Sequence, residues 1–182
     1  MNETVPVSPA KSAILYGVLF GIIMVLELVL SYVLDIDPVS NPAYGITLNV
    51  LNMLVLPILF IVIGCNNFKK LNNGFVSLGQ CLKIGVTVCL IAALLSAICQ
   101  SVFYMIFPEY VEEVLRKTRA SLLMQNPEMP AEGLEMGMNM TRKFMEPAIM
   151  IPAAAAIYSV IGLIYSLIVG AIVKRDNPQA VN

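Results

Sequence analysis

The sequence contains no histidine, so the side chain most used for proton transfer near neutral pH, and the commonest metal ligand, is missing. Most hydrolase and metalloenzyme chemistries are thereby excluded. Charge is also scarce: 13% of residues are charged and 58% hydrophobic, with a mean hydropathy of +0.82, where a soluble domain carries about 25% charged residues. Neither a soluble globular domain nor a disordered chain fits that balance. A net charge of −1 and a pI near 5.4 leave no footprint for nucleic acid and no general attraction to anionic lipid. The four cysteines, Cys65, Cys81, Cys89 and Cys99, form no CxxC pair, which argues against a disulfide framework, and no glycine-rich phosphate loop occurs. With no nucleophile, base and oxyanion donors that could be grouped at a water–lipid boundary, no catalytic residue, metal or cofactor is expected, and the chain reads as non-enzymatic.

Long apolar runs are what the sequence has in abundance. Residues 12–34, 43–63, 84–107 and 148–173 carry a single charge between them, Glu27, and each run, at ~1.5 Å per helical residue, crosses a ~30 Å hydrocarbon core. A helix pairs its own backbone groups where no water is available, so four spanning helices are expected. Ser77 with Gln80 three residues on makes a capping box that extends the third span to 78–107. Pro57 is expected to kink the second span, and Gly17 with Gly21, and Ser166 with Gly170, give small-xxx-small patterns for close helix crossings.

Lys11, Lys69, Lys70, Lys83, Lys174 and Arg175 all fall on one side of these spans. By the positive-inside rule that side is cytoplasmic and holds both termini. The opposite side holds Asp35, Asp37 and the segment 108–147, in which five basic residues meet seven acidic ones. That segment reads as two helices, about 109–125 and 131–145, broken at Asn126, Pro127, Glu128, Met129 and Pro130. Glu112 with Arg116, and Glu113 with Lys117, are spaced as i,i+4 pairs on the first. The expected architecture is all-α: an integral membrane four-helix bundle, one domain over residues 1–182, with an extracytoplasmic helical hairpin between spans 3 and 4.

The second hairpin helix has an apolar arc of about 200 degrees, from Leu134, Met136, Met138, Met140, Phe144 and Met145, wider than one neighbouring helix can cover. Met136, Met140 and Phe144 are the expected contact face. Its partner would be the membrane interface, a second copy in a homo-oligomer or another membrane protein. A Cu(I) site at Met136, Met138 and Met140 is disfavoured because Met138 points about 160 degrees away from the other two on a helix.

Glu27 is the other residue that stands out, since a carboxylate within a span is costly. It lies seven residues, ~10 Å, from the end of the first span, and Gln100 lies seven from the end of the third. Asn49 and Asn52 enter from the same side in the second span, so the four are expected to share one layer. A structural hydrogen-bonded layer with Glu27 neutral or sharing a proton is the preferred reading. The alternative is a small proton-coupled transporter using Glu27.

The stretch Gly74 to Gly85, then Pro108 to Glu113, then Glu135 to Pro147, and finally Ser166 to Arg175, resembles in pattern the bacterial membrane proteins grouped as domain of unknown function 4199. The sequence departs from that pattern at Pro130, Ala131, Glu132 and Gly133, where the family has an acidic run. The resemblance implies four spans in a bacterial inner membrane and supplies no functional residues.

Overall fold

A computed structural model of the chain describes residues 8–177. Among the described residues, helix α1 (Pro9–Val33), the long helix Pro42–Leu71, α4 (Leu78–Ile106) and α7 (Pro147–Val173) are the four helices long and apolar enough to cross a membrane. The second of these comprises α2 (Pro42–Val50), a π-helical turn (Leu51–Val55) and α3 (Leu56–Leu71). Between α4 and α7 the chain forms α5 (Pro108–Gln125) and α6 (Ala131–Met145). Among the described residues there is no strand, only an isolated bridge between Val76 and Arg175.

Local chemistry sets the helix ends. Proline opens α1, α2, α5 and α7, where its missing N–H is one the helix leaves unpaired anyway. The Asn41 side chain accepts from the Tyr44 amide at 3.2 Å to start α2. At α4 the Gln80 amide donates to Ser77 Oγ at 3.3 Å and the Ser77 amide to Gln80 Oε1 at 2.8 Å, the expected capping box. Asn73 (φ 53°) and Gly74 (φ 84°) turn the chain after α3 through left-handed backbone.

Pro57 acts on the segment before it. With no N–H and a ring that crowds the carbonyl four residues back, it follows a ladder widened to i→i+5, in which the Leu56 amide reaches the Leu51 carbonyl. The helix also continues past the end of its apolar run at residue 63, keeping Lys69 and Lys70 in its last turn, where cations suit the negative end of the helix dipole.

Helix α4 is the centre of the bundle and packs along both α1 and α7. Small residues permit the approach: a Cβ on Gly17 would lie 2.8 Å from Ile91 Cβ, and one on Gly162 would lie 2.7 Å from the Gly85 carbonyl oxygen. The glycine pattern of the first span and Ser166 of the fourth therefore serve crossings within the chain. Phe20 of α1 stacks on Phe60 of α3 at 5.6 Å and leans on Tyr158 of α7 at 6.1 Å. Cys65, Cys81 and Cys89 are buried in this core, behaving as small hydrophobes.

Each end of the bundle is fastened differently. At the end where α1 begins and α7 stops, Lys69 Nζ donates to the Val173 carbonyl at 3.0 Å, Val76 and Arg175 exchange backbone bonds of 2.9 and 2.8 Å, and the Arg175 guanidinium lies 5.6 Å from the Phe75 ring centre. At the other end Tyr32 of α1, Phe103 and Phe107 at the end of α4, and Tyr110 of α5 form an aromatic cluster with ring centres 4.9 to 5.7 Å apart. Helices α5 and α6 run antiparallel: Arg142 meets Glu112 at 3.4 Å, Gly137 lies beside Leu122, and Leu115 and Leu134 are buried. Lys117 pairs with Glu113 at 2.7 Å as their spacing predicts. Glu112 instead reaches across to Arg142 of the facing helix, and Arg116 turns to Glu113 at 3.9 Å.

Candidate functional site

Glu27 lies on the face of α1 that also carries Met24, Leu28 and Ser31, and that face turns toward α4 and the π-helical turn. The turn matters for Asn52, which it carries: Asn52 Nδ2 donates to Glu27 Oε2 at 2.5 Å. Asn52 Oδ1 is buried and has no donor. A buried acceptor left unpaired costs about 1 to 3 kcal/mol, and π-helical turns gather at functional positions.

These groups line a cavity of about 310 Å³ at the aromatic end of the bundle. Ser96, Gln100 and Tyr104 contribute from α4, Asp37 and Val39 from the connection after α1, and Tyr110 and Val114 from α5, which forms its roof. Gln100 Nε2 donates to the Tyr104 hydroxyl at 2.7 Å. Ser31 Oγ donates to the Glu27 carbonyl at 2.7 Å and shares a hydrogen bond of 2.6 Å with the Tyr44 hydroxyl. Glu27, Asn52 and Gln100 thus line one cavity. Asn49 does not join them: its side chain is exposed and donates to the Gly45 carbonyl of its own helix at 2.9 Å. The change of ladder at Leu51 falls between Asn49 and Asn52, so the shared face that a regular helix would give them is not kept.

The roof is held by an ion pair that spans distant parts of the chain. Lys117 of α5 lies 3.2 Å from Asp37, with the lysine side chain 25% and the aspartate 13% exposed. Asp37 also accepts from the Val39 amide at 3.0 Å, the Ser40 amide at 3.1 Å and the Ser40 hydroxyl at 2.6 Å. Partial burial pushes the Asp37 carboxyl up, but the Ser40 hydroxyl, the Val39 amide and Lys117 together outweigh it and hold it below its ordinary value. Lys117 is held above its ordinary value by Glu113 first, against some desolvation, and further by Asp37.

On α6 the side toward α5 takes Leu134, Gly137, Met138, Thr141 and Met145, buried or half-buried. The flank beside it carries Met136, Met140 and Phe144, which are 64%, 56% and 55% exposed. Met138 lines the groove against α5 with Leu115 and Arg119, whereas Met136 and Met140 line a shallow surface with Glu132 and Lys143. Sequence reasoning missed Asp37, Lys117, Tyr104 and Tyr110 as parts of one site. The only local signal was Asp37 three residues before Ser40, a pattern of side-chain turns, and it does not point to α5.

The family profile described as protein of unknown function (DUF4199) matches residues 15–175, and the chain belongs to that family. No curated protein and no solved structure matched the chain.

Proposed function

We propose that this DUF4199 member is a multi-pass protein of the bacterial inner membrane, with both termini cytoplasmic and the α5–α6 hairpin on the opposite side. We further propose that it works without catalysing a reaction, through contacts that the hairpin makes with a second copy or another membrane protein. The orientation is supported by the gathering of Lys69, Lys70, Lys174 and Arg175 at the end where α3 meets the tail, as the positive-inside rule requires of a cytoplasmic face.

The observation that carries the contact reading is the flank of α6. Met136, Met140 and Phe144 recur every four residues and stay more than half exposed beside the side α5 covers. Methionine adapts its shape to a partner, and aromatic and methionine side chains are enriched where proteins meet. Replacing Met136, Met140 and Phe144 together by glutamine should abolish the cross-linked species formed by the protein in native membranes. Unchanged cross-links, with the variant present at the wild-type level, would refute the reading.

A further inference from the structure

The cavity beneath α5 has a composition that the contact face on α6 does not explain. Its wall carries two carboxylates, Glu27 and Asp37, and among the residues lining it there is no lysine or arginine. Asp37 is neutralised by Lys117 from outside the wall. Among the described residues Glu27 meets only the neutral amide of Asn52, and donating that amide to Glu27 leaves Asn52 Oδ1 buried without a donor. The Glu27 carboxylate therefore faces a space of about 310 Å³ whose lining residues supply it no cation. The rings of Tyr104 and Tyr110, 6.1 Å apart and 30° from parallel, supply aromatic surface on the α4 and α5 sides.

A small organic ammonium satisfies each of these features. Its N–H groups are donors only, suited to a carboxylate, and an aromatic body packs against tyrosine rings. We propose that the cavity binds a small organic ammonium ion, its nitrogen held by Glu27 and its body against Tyr104 and Tyr110. An anion would meet Glu27 with like charge, and a metal ion would find no set of three acidic or sulfur ligands among the described residues.

The test is calorimetric titration of the full chain in lipid nanodiscs with phenethylammonium, with 2-phenylethanol and 3-phenylpropionate as probes of similar body. The ammonium should bind with a Kd of about 1 mM or tighter, and the alcohol and carboxylate at least about tenfold more weakly. Glu27→Gln should weaken the ammonium at least about tenfold while leaving the alcohol unaffected. The comparison of the three probes on the wild-type chain needs no variant, so a substitution that fails to fold leaves the proposal falsifiable. No ammonium binding, equal binding of ammonium and alcohol, or undiminished binding by Glu27→Gln would overturn it.

Discussion

Replacing Lys117 by methionine keeps the length of the side chain and removes the cation that ties α5 to the connection after α1. In the wild type Lys117 Nζ lies 3.2 Å from Asp37 and 2.7 Å from Glu113. The Glu113 pair is an i,i+4 contact within α5 and contributes about 0.3 to 0.5 kcal/mol to the helix alone. The Asp37 pair is the one that docks α5. A charge-assisted hydrogen bond contributes about 1.5 to 3 kcal/mol when well shielded, and the 25% exposure of Lys117 brings this toward 1 kcal/mol. Asp37 is not stranded by the loss, since it keeps its bonds to Val39 and Ser40. The substitution should therefore raise the open population of α5 about fivefold, at about 1 kcal/mol, while the aromatic cluster around Tyr32 and Phe103 still holds its first turns. Hydrogen exchange of the amides of residues 110–118 reads this directly. The same linkage gives a pH profile. Burial pushes Asp37 up and Ser40, Val39 and Lys117 together outweigh it, but only the Lys117 share belongs to the docked state; that share is present above the carboxylate range and is lost as pH falls through the lowered value. Lys117 is held above its ordinary value first by Glu113 of its own helix and further by Asp37, and only the Asp37 share belongs to the docked state; that share is full below the ammonium range and is lost as pH rises through the raised value. Wild-type protection of residues 110–118 should fall at the acid end of the carboxylate range and at the alkaline end of the ammonium range, and Lys117→Met should flatten the alkaline limb. An exchange rate unchanged by Lys117→Met at neutral pH would refute the reasoning.

Two further substitutions probe packing. Gly85→Ala would drive a Cβ into Ser166 Cβ at the α4–α7 crossing, whereas Gly79→Ala meets nothing within 4 Å. Overpacking of about 1 to 3 kcal/mol should leave the first a net destabilisation, and the second should gain up to about 1 kcal/mol of helix propensity. A thiol-reactive dye that reads exposure of the buried Cys65, Cys81 and Cys89 on heating measures both signs. Phe103→Ala removes ring contacts to Tyr32, Phe107 and Tyr110 and, because Phe103 is half-buried, should destabilise the bundle by about 1 to 3 kcal/mol, with the largest rise in hydrogen exchange at the start of α5.

Much of the fold was legible because the deciding signals are local. Ser77 with Gln80 marks the start of α4 without reference to any other helix, and Pro130 before Ala131 marks α6. The three residues of the α6 flank were legible as well, since a four-residue repeat of large apolar side chains beside a polar arc is a property of the helix itself. The polar layer was harder. Glu27 and Gln100 sit in regular helices, where counting from the span ends gives their depth. Asn49 and Asn52 are separated by a change of ladder that Pro57 provokes upstream of itself, and its position is set by how the segment packs rather than by the proline alone. The ion pair of Asp37 with Lys117 joins segments that sequence periodicity treats independently. Each has a sufficient local explanation, a side-chain turn for Asp37 and an i,i+4 pair for Lys117, and neither hints at the other.

The contact reading stands or falls on what touches the exposed flank of α6 in the membrane where the protein resides. A photo-crosslinking amino acid placed at Met140, compared with one at Glu135 on the polar side of the same helix, gives the most direct answer. The account predicts a discrete adduct from position 140, to a second copy or to another protein, and none from position 135. Lipid adducts alone at position 140, or protein adducts of equal yield from both positions, would contradict it.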